Sequence, residues 1–273
     1  MPEGDTVWRA ARDLNTALAR RRLLACDLRV PAFATVDFTG SVVAAVKSRG
    51  KHLLMFVDGH VIHSHLSMEG RWDIYPALVS GARAHWRRPA HTARAVLRTG
   101  EVEAVGFSLG LLEVLPDAGL GNAVGHLGPD LLGPDWDADE ALRRLLADPE
   151  RAVGLALLDQ RKLAGIGNIY RNELCFLGRV HPSVPVGEAP DLPRVLVLAK
   201  RLLEANKDRA VRSTTGGPAR GDGSLWVYGL AGKPCKRCGA LIRHATMTDP
   251  AFPSRAARDI YWCPRCQAGP GGS

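Results

Sequence analysis

The chain has 273 residues, enough for two domains with cores of their own, and no apolar run of about 18 residues that could span a bilayer. Its formal charge of +8 is uneven: residues 194–273 carry 14 basic and 5 acidic side chains, whereas residues 1–193 carry 22 and 23. That asymmetry argues for a polyanion partner. With no basic amphipathic anchor, nucleic acid is favoured over a membrane, and with no signal-like N-terminus a cytoplasmic location is expected.

The chain opens Met1-Pro2-Glu3-Gly4-Asp5-Thr6. Removal of Met1 would leave a secondary amine beside a carboxylate. An α-amino group titrates near ~7.7–8.0 and a lysine near ~10.4, so a terminal amine is far more often uncharged at neutral pH. Proline condensing with an aldehyde-level carbon has no second N–H to lose and must stay a cationic iminium, an electron sink suited to covalent catalysis. The same residues are also a good helix start: the missing N–H of Pro2 costs nothing there, and Glu3 and Asp5 suit the positive end of the helix dipole.

Residues 3–19 are predicted to form an amphipathic helix, with Val7, Ala10, Ala11, Leu14, Ala17 and Leu18 on one side. Short apolar runs then predict strands over 24–30, 41–47, 52–57, 60–65, 94–97, 101–105 and 111–115, a β-sandwich or barrel pattern. Glycine and proline crowd residues 116–137, which reads as a linker or domain joint. Helical periodicity resumes over 139–146, 151–157, 170–177 and 192–205, and residues 220–223 read as an exposed loop.

Four of the six cysteines form two Cys-x-x-Cys pairs, Cys235/Cys238 and Cys263/Cys266, separated by 24 residues. Two such knuckles supply four thiolates for a closed structural zinc site, and a β-hairpin would span the interval. Cys26 and Cys175 stand alone in apolar surroundings and read as packing residues. Around the knuckles, Lys233, Lys236, Arg237, Arg243, Arg255, Arg258 and Arg265 alternate with Tyr261 and Trp262, a phosphate-binding composition. Between residues 157 and 173, a helix should run into a turn containing Gly165 and Gly167, and a second helix should start with Asn168 near its N-cap. Exposed N–H groups at such a start bind phosphate; an ordinary capped helical hairpin has the same pattern.

Taken together, Pro2-Glu3, Arg49-Gly50-Lys51 ahead of Leu53-Leu54, the run from Leu157 to Tyr170 and the paired cysteines resemble the formamidopyrimidine-DNA glycosylase and endonuclease VIII family, in order and along essentially the whole chain. The resemblance implies an α+β multidomain fold. A catalytic β-sandwich domain with its N-terminal helix would occupy 1–116, a linker 117–138, a helix–two-turns–helix DNA-binding domain 139–227, a β-hairpin zinc finger 228–268 and a disordered tail 269–273. It further implies a bifunctional DNA glycosylase and abasic-site lyase of base excision repair, monomeric and associated with the nucleoid through DNA.

Residue by residue, the family pattern makes Pro2 the nucleophile, Glu3 the proton-transfer group at the sugar ring oxygen and Lys51 a phosphate-binding, elimination-assisting lysine. Asn168 would contact phosphate, with Gly165 and Gly167 shaping its turn. Arg258, five residues before Cys263, would grip the phosphate beside the lesion. Cys235, Cys238, Cys263 and Cys266 would hold one structural Zn2+. Met68, in His65-Leu66-Ser67-Met68, matches the segment that supplies an intercalating methionine; a methionine packed at a strand end is the other reading. The Pro-Glu-Gly opening and the absence of an Arg-Arg-Phe-Gly segment, with Gly106-Phe107-Ser108-Leu109-Gly110 in that place, point to the endonuclease VIII side. Oxidised pyrimidines are therefore the expected lesions, in duplex or in single-stranded or bubble DNA. The alternative is a non-catalytic damaged-DNA-binding protein of the same fold.

Overall fold

The computed structural model describes residues 2–77, 85–217, 224–254, 256–267 and 269. Expectations for Met1, the loop 220–223, Arg255 and the last four residues of the tail lie outside these residues. The chain divides into two compact units, residues 1–126 and 127–273. Among the described residues no helix is long and apolar enough to cross a membrane.

In the first unit, α1 (Gly4–Leu18) forms where Val7, Ala11, Leu14 and Leu18 recur every three or four residues, each at most 2% exposed. Glu3 is the N-cap, and its carbonyl accepts the N–H groups of Thr6 and Val7 at 2.9 and 3.1 Å. Eight strands follow: β1 (Ala25–Leu28), β2 (Val43–Arg49), β3 (His52–Val57), β4 (His60–His65), β5 (Arg71–Pro76), β6 (Ala93–Arg98), β7 (Val102–Phe107) and β8 (Leu111–Pro116). They make two four-stranded antiparallel sheets, ordered β2-β3-β4-β8 and β1-β6-β7-β5. Leu53, Met55 and Ile62 of one sheet and Leu28, Trp72, Leu97 and Ala104 of the other pack into one core with α1, which is the sandwich expected.

β5 was not anticipated. Its sequence, Arg-Trp-Asp-Ile-Tyr-Pro, buries only Trp72 and Tyr75, and its proline is tolerated because β5 is an edge strand paired with β7 alone. Cys26 is only half-buried. The short helix α2 (Leu120–Val124) lies within the glycine- and proline-rich stretch.

The second unit contains α3 (Ala138–Leu146), α4 (Val153–Ala156), α5 (Asn168–Leu177) and α6 (Leu192–Asn206), packed around Leu145, Leu157, Ile166, Tyr170, Leu174 and Leu203. Asp137 caps α3 by accepting the N–H groups of Asp139 and Glu140, both at 3.0 Å, and Asp191 caps α6 through Arg194 N–H at 3.0 Å. The helix expected over 151–157 shrinks to the single turn α4. Just beyond it, Asp159 accepts the Arg161 N–H at 3.1 Å and bends the chain, local competition that apolar periodicity does not register. A β-hairpin, β9 (Arg243–Met247) paired with β10 (Arg258–Trp262), closes the chain. Cys235 and Cys238 precede it and Cys263 and Cys266 follow it, so both knuckles fall at its open end.

Candidate functional site

Register alone gathers the first group of residues. Asn15 Oδ1 accepts the Val46 N–H at 2.8 Å and the Arg20 N–H reaches Val43 O at 2.7 Å, so α1 runs antiparallel to β2. Back from Asn15 to Gly4 the helix rises about 16 Å, and from Val46 to the β2–β3 turn the strand advances about 15 Å. Pro2 and Glu3 therefore lie level with the turn Gly50-Lys51, where Gly50 takes a φ of +56°. Pro2 is half-buried, Glu3 fully buried and Lys51 half-buried.

His65 pairs with His52 beside that turn, so the β4–β5 turn carrying Met68 opens at the same end of the sheet. Met68 is 61% exposed, which rules out the packed-methionine reading. Leu111 pairs with His65 and Gly110 N–H reaches His65 O at 3.0 Å, bringing the tight β7–β8 turn there as well. The two turns fit closely: a Cβ on Gly110 would lie 1.9 Å from Ser67 Oγ.

The electrostatics at this end are unusual. Burial, the neighbouring imidazoles of His63, His65 and His126 and the Lys51 charge push His52 down to about 3; burial, Lys51 and His63 push His65 down to about 4. Both rings stay neutral in the folded protein yet take up protons near pH 6.5 once unfolded. The unfolded chain then binds more protons across that interval, so stability is full above about pH 6.5 and falls as the pH drops toward 4. Denaturant titrations at several pH values check this: His65→Gln should show a shallower acid loss, by up to about 1.4 kcal/mol per pH unit.

The second group lies in the second unit. Gly165 has a φ of +112°, a conformation glycine alone adopts readily, and it lets the chain enter α5. The helix starts at Asn168, as expected, and the N-cap is Gly167. The Asn168 side chain is thereby released from capping. Asn168 Nδ2 donates to the carbonyl of Asp259 at 3.1 Å, Arg171 donates to the same oxygen at 2.8 Å, and Asn172 Nδ2 approaches it at 3.3 Å. Asn172 Oδ1 accepts the Tyr261 N–H at 2.7 Å. Arg171 and Asn172 are fully buried. Three donors from one helix thus fix the backbone next to Arg258, whose own side chain is exposed. Asp259 is turned toward His244 Nε2 at 2.9 Å on the neighbouring strand, which occupies its carboxylate. Sequence reasoning missed Arg171 and Asn172 because both look like ordinary helix polar residues.

Glu173 completes this framework. It is fully buried and accepts the backbone N–H groups of Trp226, Val227 and Tyr228 at 2.8, 2.9 and 2.9 Å, together with the Thr214 hydroxyl. The segment leading into the cysteine unit is thereby tied to α5.

The four cysteine sulfurs lie within 4.8 Å of one another, the one cluster of metal-ligating spacing among the described residues. Cys238 and Cys263 are 3.4 Å apart and Cys235 and Cys266 are 4.0 Å apart. A tetrahedral Zn–S4 centre with bonds of about 2.3 Å has sulfur–sulfur edges of about 3.8 Å, so the donor set fits that ion.

Family comparison agrees with this arrangement. Residues 1–107 match the formamidopyrimidine-DNA glycosylase N-terminal domain and residues 127–201 match the formamidopyrimidine-DNA glycosylase H2TH domain. The chain is 55% identical over 274 residues to the probable endonuclease 8 2 of Streptomyces coelicolor, covering 99% of this chain and 95% of that protein. It is 48% identical over 267 residues to the DNA-(apurinic or apyrimidinic site) lyase Nei2 of Mycolicibacterium smegmatis, covering 98% and 99%. The fold is similar to that of Lactococcus lactis Fpg in complex with DNA containing an abasic site, with a TM-score of 0.78 and 21% identity over 98% of this chain and 100% of that one. A conjunction of terminal Pro-Glu, glycine-shaped helical hairpin and four-cysteine hairpin, matched along nearly its full length by endonuclease 8 relatives, places the chain in the formamidopyrimidine-DNA glycosylase and endonuclease VIII family, closer to the endonuclease VIII branch.

Proposed function

We propose that the chain is a bifunctional DNA glycosylase and abasic-site lyase of base excision repair, acting on oxidised pyrimidines through Pro2. The observation that carries the reading is the convergence of Pro2, Glu3 and the Lys51 turn at one end of the sandwich. With Met1 removed, the Pro2 amine attacks the sugar C1′ and the damaged base departs. Glu3, buried at the positive end of α1, handles the proton at the ring oxygen. The resulting iminium withdraws electrons from C2′, and strand scission follows by β and then δ elimination, assisted by Lys51. Met68 enters the gap left by the extruded nucleotide, at the usual unstacking cost of a few kcal/mol. A single exposed apolar wedge suits single-stranded or bubble DNA as well as duplex.

Asn168, the turn of Gly165 and Gly167, and Arg258 bind the DNA backbone. One Zn2+ held by Cys235, Cys238, Cys263 and Cys266 supplies folding energy to the hairpin that carries Arg258 and takes no part in the chemistry. The enzyme works as a cytoplasmic monomer on chromosomal DNA.

Borohydride reduction with an oxidised-pyrimidine duplex tests the reading. A covalent protein–DNA adduct through Pro2 is the expected product; its absence on every oxidised base and on abasic sites would leave a non-catalytic damaged-DNA-binding protein. Arg258→Ala and Asn168→Ala should weaken binding across sequences and reduce the salt slope by about 1 each. An unchanged affinity in Asn168→Ala would remove that residue from the interface.

A further inference from the structure

The β1-β6-β7-β5 sheet carries a basic recess that has no role in the reaction above. It measures about 420 Å³ and is lined by Arg71, Asp73, Arg87, Arg88 and Pro89. Three guanidiniums face one carboxylate there, an excess of two positive charges. Over residues 1–193 basic and acidic side chains nearly balance, 22 against 23, so this excess is local and not a share of a general positive field.

Register places the recess at the end of the sandwich that carries Met68. Arg71 opens β5 three residues after Met68, at most about 11 Å along the chain, and pairs with Phe107, the last residue of β7. From Pro89 the chain runs into β6 beside the same turn: the Ser108 N–H reaches Thr92 O at 2.8 Å, and Ala93 pairs with Phe107. Ser108 belongs to the β7–β8 turn, whose Gly110 fits against Ser67. One continuous surface therefore joins Met68 to the three arginines.

The side chains are held open toward solvent. Arg71, Asp73 and Tyr75 alternate along β5 and share its outer face, where Tyr75 packs with Val105 and Phe107, while Trp72 turns into the core with Leu53 and Met55. Asp73, 14% exposed, accepts Arg71 Nε at 2.7 Å and the Tyr75 hydroxyl at 3.4 Å, and Arg88 Nε stands 3.7 Å from it. The Tyr75 oxygen accepts the Arg87 backbone N–H at 3.3 Å, which ties that segment to β5. A guanidinium has five N–H donors, so Arg71, engaged through Nε alone and 55% exposed, keeps both Nη groups for another acceptor. The Arg87 guanidinium has no acidic partner among the described residues. Protection of an edge strand by charge accounts for Arg71, but Arg87 and Arg88 lie outside the strand and line the same recess.

We propose that Arg71, Arg87 and Arg88 seat phosphates of the DNA backbone within about three nucleotides of the point where Met68 enters the stack, taking 3.4 Å of axis per nucleotide; the proposal rests on the reading of Met68 as the wedge. The chemistry is that of guanidinium with phosphate. Each free Nη pair matches two oxygens of one phosphate, and a concave group of three matches neighbouring phosphates better than a point charge does. Such contacts carry no sequence information and set the register of the duplex on the protein, which a wedge aimed at one gap requires.

Binding of the full-length protein to an abasic-site duplex, and to the lesion strand alone, between about 50 and about 200 mM salt tests this. In the double variant Arg87→Ala, Arg88→Ala the slope of log affinity against log salt should fall by about 2, so its deficit against wild type narrows about tenfold across that range. The double variant Arg87→Lys, Arg88→Lys should keep the wild-type slope, a rescue that a merely structural role would not show. Arg71→Gln, made separately, should lower the slope by about 1. Borohydride trapping at saturating enzyme should match the wild type in all of them, because none of the three touches the reacting sugar. A slope lowered in the duplex alone assigns the seat to the strand opposite the lesion, and a slope lowered equally in both substrates assigns it to the lesion strand. An unchanged slope in both, or a loss of affinity that salt does not alter and lysine does not restore, overturns the seat. Met68→Ala removes no charge and should weaken binding at every salt concentration with the slope intact; no effect there removes the wedge and the seat's stated position. Absence of binding and trapping in the wild type overturns the glycosylase reading and the seat with it.

Discussion

Retaining Met1, or fusing a tag ahead of Pro2, abolishes base release, strand cleavage and borohydride trapping together. An acylated Pro2 nitrogen has its lone pair delocalised into an amide and cannot attack C1′, so the proposed nucleophile is lost and a fall of about 10⁴-fold or more is expected. Pro2→Gly is the subtler variant. It keeps a terminal amine but not the obligate cationic iminium, and it frees the backbone at the start of α1, so trapping should fall sharply. DNA affinity should survive the tag within about twofold, because the tag leaves untouched the residues proposed to bind phosphate, Lys51 in the first unit and Asn168 and Arg258 in the second. A tagged protein that still forms the adduct would require a different amine, with Lys51 the first to examine.

Chelating the proposed zinc, or replacing Cys263 by Ser, should unfold the hairpin and with it the proposed Arg258 contact. Structural zinc sites of four thiolates contribute about 10–16 kcal/mol to the folding of their units, more than a small hairpin with one apolar cluster holds in reserve. That cluster consists of Phe176, Val227, Leu230, Cys235, Ile242 and Cys263, two of which belong to the four-sulfur group. Metal analysis should find one equivalent of zinc, and chelation should open residues 228–267 to protease. DNA affinity should fall by about a hundredfold, the equivalent of roughly 3 kcal/mol for one charge-assisted phosphate grip and its neighbours. A chelated protein that resists protease and binds as before would show that the four sulfurs do not need the ion.

How much of this was legible in the sequence differs by element. The boundaries of β3 and β4 could be read directly, because each is a six-residue run of good strand formers bounded by turn residues. β5 could not: an edge strand burying two residues has too weak an alternation, and its partner β7 lies about thirty residues away. Asn168 starts its helix where the pattern puts it, but the N-cap itself is Gly167. Local preference favours asparagine at the N-cap, but the carbonyl of Asp259, 91 residues on, captures the side chain instead.

The sequence by itself determined the local patterns from which the chemistry is proposed. A Pro-Glu terminus, a glycine-shaped helical hairpin and two Cys-x-x-Cys knuckles are local patterns whose valence and backbone requirements can be stated before any folding. The tertiary structure alone decided which groups cooperate. The antiparallel lie of α1 on β2 brings Pro2 level with Lys51, and the clamp from α5 fixes the backbone beside Arg258. The pairing of β4 with β8 joins His63 to Glu113 across 50 residues of chain. Strand register and helix docking are set by which faces bury together, a non-local balance of packing that no spacing along the chain encodes.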